Sequence, residues 1–452
     1  MPLDPIAAWH GLLDDQLTTE SLTWLGEQQR ALGIAFGTRP LCTVARPRFL
    51  RRADYDALRQ ASRRVLGVLN LIGDAALDDP DFRAAFRLTE WEETLLARMP
   101  RDRVCSPLSR IDAFIDPDTG IARLTEFNGE TPAGIGYSDA LSELFEALPI
   151  MAAFRREWDV RALSAKPTLL GVLLAAWHRF RGVRSMPTIA IVDWDDVPTV
   201  SEFVMIRDYL IRMGIPCRIT TPEALRHEQG TLRDADGTVI DLVYKRVLLH
   251  ELVARSGIDH PLLTAVAAGD VAMMNSVHGK PLHKKASLAV LTDERHQARF
   301  SAEQQAAIRR HIPWTRVVEE RQTELDGAPI DLVPWMQQHR DSLVLKPNDD
   351  YGGAGIVLGW EVDDAAWAAA MATALDQPYV VQQRIALPSE PFPSLTPEGG
   401  LVLADRIVDT APFCWDGAYM DGMLTRISTA TLVNVTAGGG STVPTFVVEP
   451  RQ

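Results

Sequence analysis

The feature that most constrains the fold is a pair of alternating segments on either side of a short turn. Residues 110–115 alternate between polar and apolar side chains, and residues 121–128 alternate again. The turn between them, Asp116-Pro117-Asp118-Thr119-Gly120, consists of residues that favour turns. Alternation on both sides of a turn predicts a β-hairpin. The hairpin follows about a hundred residues with mostly helical spacing of apolar side chains, so the chain combines helices with strands.

The polar residues of this hairpin are of the types that bind metal ions and phosphates. Side chains two residues apart in a strand project from the same face, so Arg110 shares a face with Asp112. Glu126 shares a face with Asn128 in the same way. If the two faces coincide, they offer carboxylate and amide oxygens suited to Mg²⁺ and a guanidinium suited to a phosphoryl group. The alternative is a surface hairpin with exposed salt bridges. The glycine-containing continuation, 129–134, favours the ligand site, because glycine permits close approach.

A second motif combines a lysine at the end of a predicted strand with a glycine-rich loop. Lys346 ends the strand 342–347, and Gly352, Gly353 and Gly355 follow it. The lysine can meet phosphate oxygens as a point charge, and the glycines let backbone N–H groups point at the same oxygens. The spacing fits neither a Walker loop nor a Rossmann fingerprint. The alternative is a glycine hairpin with a snorkelling lysine.

Three further cations are candidate ligands of a phosphate. Lys284 and Lys285 precede a short helical segment, and either could touch a phosphate; the alternative is a solvated basic spot on the surface. Arg426 is followed by Asn434 and the glycines 438–440, and it is either a transition-state arginine or a surface residue. The histidines form no H-E-x-x-H or comparable zinc pattern.

Apolar runs and helix caps elsewhere predict a βαβ unit. Residues 188–194 are typical of a buried strand, and residues 216–221 of a second one. Between them, Thr199 and Glu202 fit the capping box of an intervening helix. Strand, helix and strand over about 35 residues form a βαβ unit. Before this unit, Ser138 is the expected N-cap of another helix.

Length and composition exclude several classes of protein. The 452 residues suffice for two or three domains. The net charge of −14 argues against a sequence-independent nucleic-acid binder, because such a protein needs a basic face. No C-x-x-C pair and no run of about 18 apolar residues occurs, so we expect no disulfide framework, structural zinc site or membrane span. The N-terminus lacks the pattern of a secretory signal, and a reducing, cytoplasmic location is expected.

Together, these motifs resemble the circularly permuted ATP-grasp family, which includes the synthetase domain of glutathionylspermidine synthase. The resemblance spans about 110–440 and rests on Arg110-Ile111-Asp112, Glu126-Phe127-Asn128-Gly129-Glu130-Thr131-Pro132, Lys284-Lys285-Ala286, Val344-Leu345-Lys346-Pro347 with Gly352-Gly353-Ala354-Gly355, and Arg426. In ordinary ATP-grasp enzymes the lysines and the glycine loop precede the E-x-N motif. Here the E-x-N motif comes first, which is the permuted order.

The resemblance implies a fold of mixed α+β and α/β character. The expected fold is a circularly permuted ATP-grasp fold with an inserted small, pre-ATP-grasp-like α/β domain. Residues 1–185 would contain an N-terminal helical region and the metal-binding hairpin. Residues 186–275 would form the small α/β domain. Residues 276–452 would carry the nucleotide-binding lysines, the glycine-rich loop and a C-terminal sheet.

The resemblance also implies a role for each candidate residue. Mg²⁺ would be held by Asp112, Glu126 and Asn128. The transferring phosphoryl group would be stabilised by Arg110, with Arg426 as a further catalytic arginine. ATP would be bound by Lys285, Lys346, Gly352, Gly353, Gly355, Gln382 and Gln383, the two glutamines lying where the family's strand runs into the adenine-binding hinge. Lys284 competes with Lys285, which is favoured because the family lysine directly precedes the Ala-x-Leu helix.

The activity that the resemblance implies is that of an ADP-forming acid–amine ligase, similar to glutathionylspermidine synthase. ATP would phosphorylate a small-molecule or peptide carboxylate, and an amine would attack the acyl phosphate to form an amide or peptide-like bond. No segment identifies a glutathione or spermidine pocket, so the acid and the amine stay open. The alternatives are a non-catalytic ATP-binding or scaffold protein of a biosynthetic assembly and a kinase-like phosphotransferase. Neither nucleic acid nor a membrane is an expected partner.

Overall fold

Seven β-sheets and their flanking helices make up the part of the chain that the computed structural model describes. The described residues are 4–36, 39–182, 185–350, 352–396, 400–433 and 440–451. The architecture is mixed α/β, as the sequence predicts. Among these residues, no helix is both long enough and apolar enough to cross a membrane.

The α-helices range from single turns to 27 residues. They occupy Pro5–Gly11, Asp15–Leu32, Arg52–Asp78, Pro80–Arg83, Glu90–Arg98, Ile135–Ala147, Pro149–Phe154, Lys166–Arg181, Val200–Arg212, Leu249–Ser256, Pro261–Ala268, Lys280–His283, Ala286–Thr292, Ala302–His311, Leu332–Gln338 and Asp364–Asp376. Short 3-10 helices occupy Ala84–Phe86, Pro222–Ala224, Val277–Gly279, Glu294–Arg299, Arg340–Ser342 and Gly359–Glu361. In the helix Arg52–Asp78, the periodic apolar residues Leu58, Val65 and Ile72 are buried because they share one face.

The largest sheet, here called the central sheet, is antiparallel and contains the predicted hairpin. Its strands, in spatial order, are Gly440–Val443, Tyr419–Ser428, Leu401–Trp415, Leu108–Ile115 and Ala122–Asn128, with Ser389–Leu395 also paired to Leu401–Trp415. The hairpin prediction is confirmed. Its turn is stabilised by Asp116, whose carboxylate accepts a hydrogen bond from the N–H of Thr119 at 2.9 Å. Strands from the last part of the chain therefore flank the hairpin.

A four-stranded parallel sheet contains the predicted βαβ unit. Its strands, in spatial order, are Ala272–Met274, Leu242–Lys245, Ile189–Val192 and Cys217–Thr220. The strands Ile189–Val192 and Cys217–Thr220 and the helix Val200–Arg212 between them confirm that prediction. A small antiparallel sheet of Arg226–Glu228, Thr231–Arg233 and Val239–Ile240 lies between the second and third strands in sequence. All these strands fall between residues 186 and 275.

The remaining sheets complete the fold. The sheet that carries Lys346, here called the lysine sheet, consists of Thr315–Val317, Tyr379–Gln383, Leu343–Pro347 and Val357–Leu358, all antiparallel. A three-stranded sheet of Arg48–Arg51, Thr445–Pro450 and Trp158–Ala162 joins the two ends of the chain. Two two-stranded sheets pair Ala35–Phe36 with Arg39–Pro40 and Gln322–Leu325 with Ala328–Asp331. The glycine-rich loop connects two neighbouring strands of the lysine sheet.

Two predicted helix caps are wrong, and Glu202 is involved in both. Thr199 precedes the helix Val200–Arg212, but its side chain makes no capping hydrogen bond. The Glu202 carboxylate instead accepts hydrogen bonds from the N–H groups of Gly134 and Gly136, at 2.8 and 3.0 Å. These groups belong to the start of the helix Ile135–Ala147, which therefore begins before Ser138. A carboxylate from a distant helix supplies the cap that local sequence would assign to a neighbouring hydroxyl.

Candidate active site

The polar residues of the hairpin form one face. The strand register places Arg110 opposite Asn128 and Asp112 opposite Glu126, with an irregularity in the pairing immediately after Asp112. The two polar faces therefore coincide. Arg110 and Asp112 are only 8% and 7% exposed, so the alternative of a surface hairpin with exposed salt bridges is wrong.

Asp112 is the centre of this face. Its Oδ1 accepts hydrogen bonds from Arg110 Nε at 2.9 Å and from Asn128 Nδ2 at 3.1 Å. Its Oδ2 accepts one from Arg426 Nη2 at 2.7 Å. Burial would raise the pKa of Asp112, but the two guanidinium groups outweigh it and hold the pKa below its ordinary value. Asp112 is therefore ionised at neutral pH, and Arg426 lies within the cluster rather than on the open surface.

Arg426 has a second carboxylate partner, Asp409, which the sequence analysis missed. Asp409 lies directly opposite Arg426 in the strand register and accepts a hydrogen bond from Arg426 Nε. Burial raises the pKa of Asp409 to about 6, although Arg426 opposes this shift. The sequence carries a partial signal, because Asp409 precedes the alternating apolar residues Ala411 and Phe413 in the strand Leu401–Trp415.

Two lysines approach the hairpin from other elements. Lys285 Nζ lies 3.1 Å from Glu126 Oε1 and donates to the carbonyl oxygen of Asp350 at 2.7 Å. Lys346 Nζ donates to Gln382 Oε1 at 2.7 Å and to the carbonyl oxygen of Thr125 at 3.3 Å. Burial lowers the pKa of Lys346 to about 8, with Glu126 opposing the shift. Both lysines therefore lie beside the polar face of the hairpin.

Lys284 has different partners from Lys285. Its Nζ contacts Glu92 Oε1 at 2.8 Å and Asp349 Oδ2 at 2.7 Å. Lys284 and Lys285 are 2% and 4% exposed, so the interpretation of this pair as a solvated basic spot is wrong. Lys285, and not Lys284, is the member of the pair that reaches a candidate metal ligand.

The glycine-rich loop follows the strand of Lys346. Gly352, Gly353 and Gly355 have φ angles of 68°, 81° and 67°, a region that favours glycine. A Cβ on Gly355 would lie 2.6 Å from Pro347 Cγ, so the close return of the loop onto the strand also requires glycine there. Tyr351 lies outside the described residues. The loop is thus positioned at the end of the lysine strand, as its sequence order predicts.

The two glutamines of the lysine sheet differ in their environments. Gln382 is buried, and its Nε2 donates to Thr315 Oγ1 at 3.0 Å while its Oε1 accepts from Lys346. Gln383 is exposed, and its backbone N–H donates to the carbonyl oxygen of Trp314 at 2.8 Å. Gln382 therefore orients Lys346. In the segment after Arg426, residues 434 and 438–439 lie outside the described part of the chain.

The donor set of the hairpin fits Mg²⁺ in kind. Asp112 and Glu126 supply carboxylate oxygens, and Asn128 uses its amide nitrogen on Asp112, which leaves its amide oxygen unused in that bond. Arg110 Nη2 and Arg426 Nη1 make no hydrogen bond within the described residues and can donate to an anion. Over the described ranges, no group of three or more His, Cys, Asp and Glu is arranged to hold a metal ion. The candidate set thus depends on the amide as its third ligand.

The fold of this chain is similar to that of a solved structure over nearly its whole length. A glutathione synthetase-like effector from Globodera pallida, in the apo form, superposes with a TM-score of 0.64 and 14% identity over 96% of this chain and 98% of that chain. A RimK-domain ATP-grasp protein from Sphaerobacter thermophilus DSM 20745 matches with a TM-score of 0.27 and 15% identity over 57% of this chain and 90% of that chain. A D-alanyl-alanine synthetase A from Vibrio cholerae O1 biovar eltor str. N16961 matches with a TM-score of 0.24 and 10% identity over 50% of this chain and 68% of that chain. Both TM-scores are too low to support an argument about the fold. Neither a family model nor a curated protein matches the sequence. The chain therefore shares the fold of the glutathione synthetase-like effector.

Proposed function

We propose that this protein is an ATP-dependent carboxylate–amine ligase that works through an acyl phosphate and releases ADP and phosphate. The observation that carries the proposal is the convergence of Arg110, Asp112, Glu126, Lys285 and Arg426 from separate segments into one buried cluster. Two carboxylates, two guanidinium groups and an ammonium group in one place are the charges that a Mg²⁺–triphosphate complex requires. The similarity to the glutathione synthetase-like effector supports the fold on which this proposal rests.

We assign the binding roles residue by residue. Asp112, Glu126 and Asn128 would hold Mg²⁺, which when bound neutralises charge on the phosphate oxygens. The phosphates of ATP would contact Lys285 and Lys346, together with the backbone N–H groups of Gly352, Gly353 and Gly355. Arg110 and Arg426 would donate from their free terminal nitrogens to the transferring phosphoryl group. The adenine base of ATP would lie near Gln382 and Gln383.

The chemistry follows from these positions. A carboxylate oxygen of the acid substrate attacks the γ-phosphorus, the bond to ADP breaks, and an acyl phosphate forms. The nitrogen of the amine then attacks the acyl carbon, phosphate leaves, and the nitrogen loses its proton. The chain positions the reacting groups and stabilises the developing charge, mainly through Arg110 and Arg426, and forms no covalent intermediate with the substrate.

The proposal extends to the organisation of the chain. The hairpin precedes the lysines and the glycine-rich loop in sequence, which supports a circularly permuted ATP-grasp arrangement. Residues 186–275, which contain the parallel sheet, would be the inserted small α/β domain between the parts 1–185 and 276–452. The proposed substrates are a small-molecule or peptide carboxylate and an amine, and pairs related to those of glutathionylspermidine synthase are the first to test.

The decisive experiment measures ADP release by the purified protein with Mg²⁺ and ATP across a panel of acids and amines. We expect release that requires both an acid and an amine, and hydroxylamine should trap the acid as a hydroxamate when the amine is omitted. A stable phosphate ester in place of the hydroxamate would identify a kinase-like phosphotransferase. Binding of Mg²⁺–ATP without turnover on the whole panel would favour a non-catalytic ATP-binding protein. Absence of any calorimetric signal with Mg²⁺–ATP would contradict the proposal.

A further inference from the structure

We infer that Asp409 is a positioning residue that fixes the guanidinium group of Arg426 against Asp112 and towards the ligand. The inference rests on the proposed function, because it concerns the presentation of Arg426 to the phosphoryl group. Asp409 itself would touch neither substrate nor metal ion, since its side chain has no exposed surface whereas that of Arg426 is 20% exposed.

The topology explains why Arg426 needs such a residue. Arg426 and Asp112 are on strands of the central sheet that are separated by the strand Leu401–Trp415, which carries Asp409. Neighbouring strands are about 4.8 Å apart, so the Arg426 side chain must extend across the intervening strand to reach Asp112. Asp409 lies on this intervening strand, directly opposite Arg426. The carboxylate of Asp409 therefore holds the long Arg426 side chain in the extended position that reaches Asp112.

The hydrogen bonds fix the orientation as well as the position. Arg426 uses Nε on Asp409 Oδ2, and its Nη2 contacts both Asp112 Oδ2 and Asp409 Oδ2. These two nitrogens are on one edge of the guanidinium plane. Nη1 is the remaining donor nitrogen, and it makes no hydrogen bond in the part of the chain that the structure describes. Asp409 thus determines which nitrogen of Arg426 stays available for an anion.

Stability does not account for Asp409. Its Oδ1 is buried and has no hydrogen-bond partner among the described residues. A buried carboxylate with an unpaired oxygen lowers the stability of a fold, and among the described contacts its bond to Arg426 is what offsets this cost. The backbone around it is already held, because Val408 and Thr410 on either side pair in register with Ile427 and Thr425. What Asp409 adds is the orientation of Arg426.

A double-mutant cycle tests the inference. The variants are Asp409→Ala, Asp409→Asn, Arg426→Gln and the combination of Asp409→Ala with Arg426→Gln. Asp405→Asn is the matched control, because Asp405 is an exposed carboxylate on the same strand. The readouts are the Kd of the Mg²⁺ complex of a non-hydrolysable ATP analogue by calorimetry, ADP release with the best acid and amine, and thermal unfolding. Asp409→Asn retains an acceptor for Arg426 Nε and provides a folded variant if Asp409→Ala does not fold.

We expect Asp409→Ala to reduce ADP release about 10- to 100-fold, the usual effect of removing a residue that orients a ligand-binding group. Asp409→Asn should recover part of this loss, and Asp405→Asn should behave as wild type. In the Arg426→Gln background, the change at Asp409 should have less than about a twofold further effect, because the two residues act as one unit. The inference would be overturned if Asp409→Ala reduced ADP release by the same factor in the wild-type and Arg426→Gln backgrounds. Wild-type ADP release by both Asp409→Ala and Asp409→Asn would overturn it as well. If the wild-type chain binds no Mg²⁺–analogue and releases no ADP, the proposed function fails first and the inference with it.

Discussion

At the residue scale, each cation of the candidate site lies beside an oxygen acceptor of the protein. Lys285 pairs with Glu126, and Arg426 pairs with Asp112. Lys346 instead pairs with the neutral amide oxygen of Gln382. In the proposed function the carboxylates would therefore have two roles, since they hold the cations in place and would provide oxygens for Mg²⁺. Substitution of one carboxylate would affect both roles, because it also removes the partner that holds the lysine or arginine in place.

The first prediction concerns Glu126. In Glu126→Gln the side chain keeps its shape but loses the charge that Mg²⁺ and Lys285 require, so ADP release should fall about 100-fold. Lys285 retains the carbonyl oxygen of Asp350, so the fold should persist. Steady-state ADP release and circular dichroism measure the two effects. Asp118→Asn is the control, because Asp118 is an exposed carboxylate in the turn of the same hairpin. Turnover equal to that of wild type would remove Glu126 from the metal site.

The second prediction concerns the charge of Lys346. Its pKa is lowered to about 8 by burial, so the side chain loses its proton as the pH rises through 8 rather than near 10.5. A neutral amine attracts phosphate oxygens weakly, so the affinity for Mg²⁺–ATP should fall between pH 7 and pH 9. Lys346→Arg stays protonated throughout this range and should show a flatter dependence. Calorimetric titrations at several pH values measure the affinity, and parallel profiles for the two proteins would exclude Lys346 as the titrating group.

At the element scale, the helix Ile135–Ala147 depends on a residue from another helix. Glu202 on Val200–Arg212 accepts from the N–H groups of Gly134 and Gly136, and it also lies 3.7 Å from Arg246. A carboxylate at a helix N-terminus satisfies unpaired donors and interacts favourably with the helix dipole. Arg246 Nη1 donates to the carbonyl oxygen of Pro132 at 2.6 Å in the loop that follows the hairpin. This pair therefore connects the helix flanking the parallel sheet to the loop beside the candidate site.

The third prediction concerns this cap. Glu202→Ala leaves two backbone N–H groups without an acceptor and a buried guanidinium with one partner fewer, so the free energy of unfolding should fall by roughly 1–3 kcal/mol. Urea denaturation monitored by circular dichroism measures the change. Asp208→Ala, an exposed carboxylate on the same helix, should leave the denaturation midpoint unchanged. Equal midpoints for Glu202→Ala and wild type would show that water or another group caps the helix.

The elements differ in how well the sequence predicts them. The hairpin and the βαβ unit follow from local patterns, namely alternation, a turn and apolar runs, and both are confirmed. The cap at Ser138 is wrong because the acceptor, Glu202, comes from a distant part of the chain. The capping box at Thr199 is wrong because the Glu202 side chain is directed to that other helix. The pairing of Asp409 with Arg426 is not predicted for a related reason, because it depends on a strand register that brings the two residues opposite each other. Long-range partners are set by the packing of elements, and a single sequence does not display them.

At the scale of the whole molecule, a buried ionic network joins several parts of the fold. Lys280 is at its centre and lies 3.1 Å from Glu130, 3.0 Å from Asp349 and 3.4 Å from Glu92. Lys245, at the end of a strand of the parallel sheet, contacts Glu130 at 3.3 Å. Glu130 follows the hairpin, and Asp349 precedes the glycine-rich loop. The network thus connects the central sheet, the parallel sheet and the lysine sheet through charges that are mostly buried.

The protonation of this network determines how stability depends on pH. Burial would raise the pKa of Glu130, but Lys280 and Lys245 outweigh it and hold the pKa below its ordinary value. The pKa of Asp349 is lowered in the same way, with Lys280 and Lys284 opposing the effect of burial. A carboxylate with a lowered pKa in the folded state contributes stability above its pKa in the unfolded chain, about 4. This contribution is lost as the pH falls from there towards the folded-state pKa.

The fourth prediction uses this pH dependence to separate the network from ordinary surface charges. Lys280→Met removes the cation that three carboxylates share, so at pH 7 the free energy of unfolding should fall by about 3–5 kcal/mol. Without Lys280, burial should raise the pKa values of Glu130 and Asp349, and the variant should have less stability to lose on acidification. The difference between wild type and variant should therefore narrow below about pH 4, the range in which the unfolded chain takes up protons. Urea denaturation at pH 7, 5, 4 and 3 measures this difference.

The control is Arg98→Met, which breaks the exposed 2.8 Å contact with Asp259 and should match wild type in stability at every pH. A difference for Lys280→Met that stays constant from pH 7 to pH 3 would show that its effect comes from lost packing, and the ionic coupling of the three sheets would be disproved.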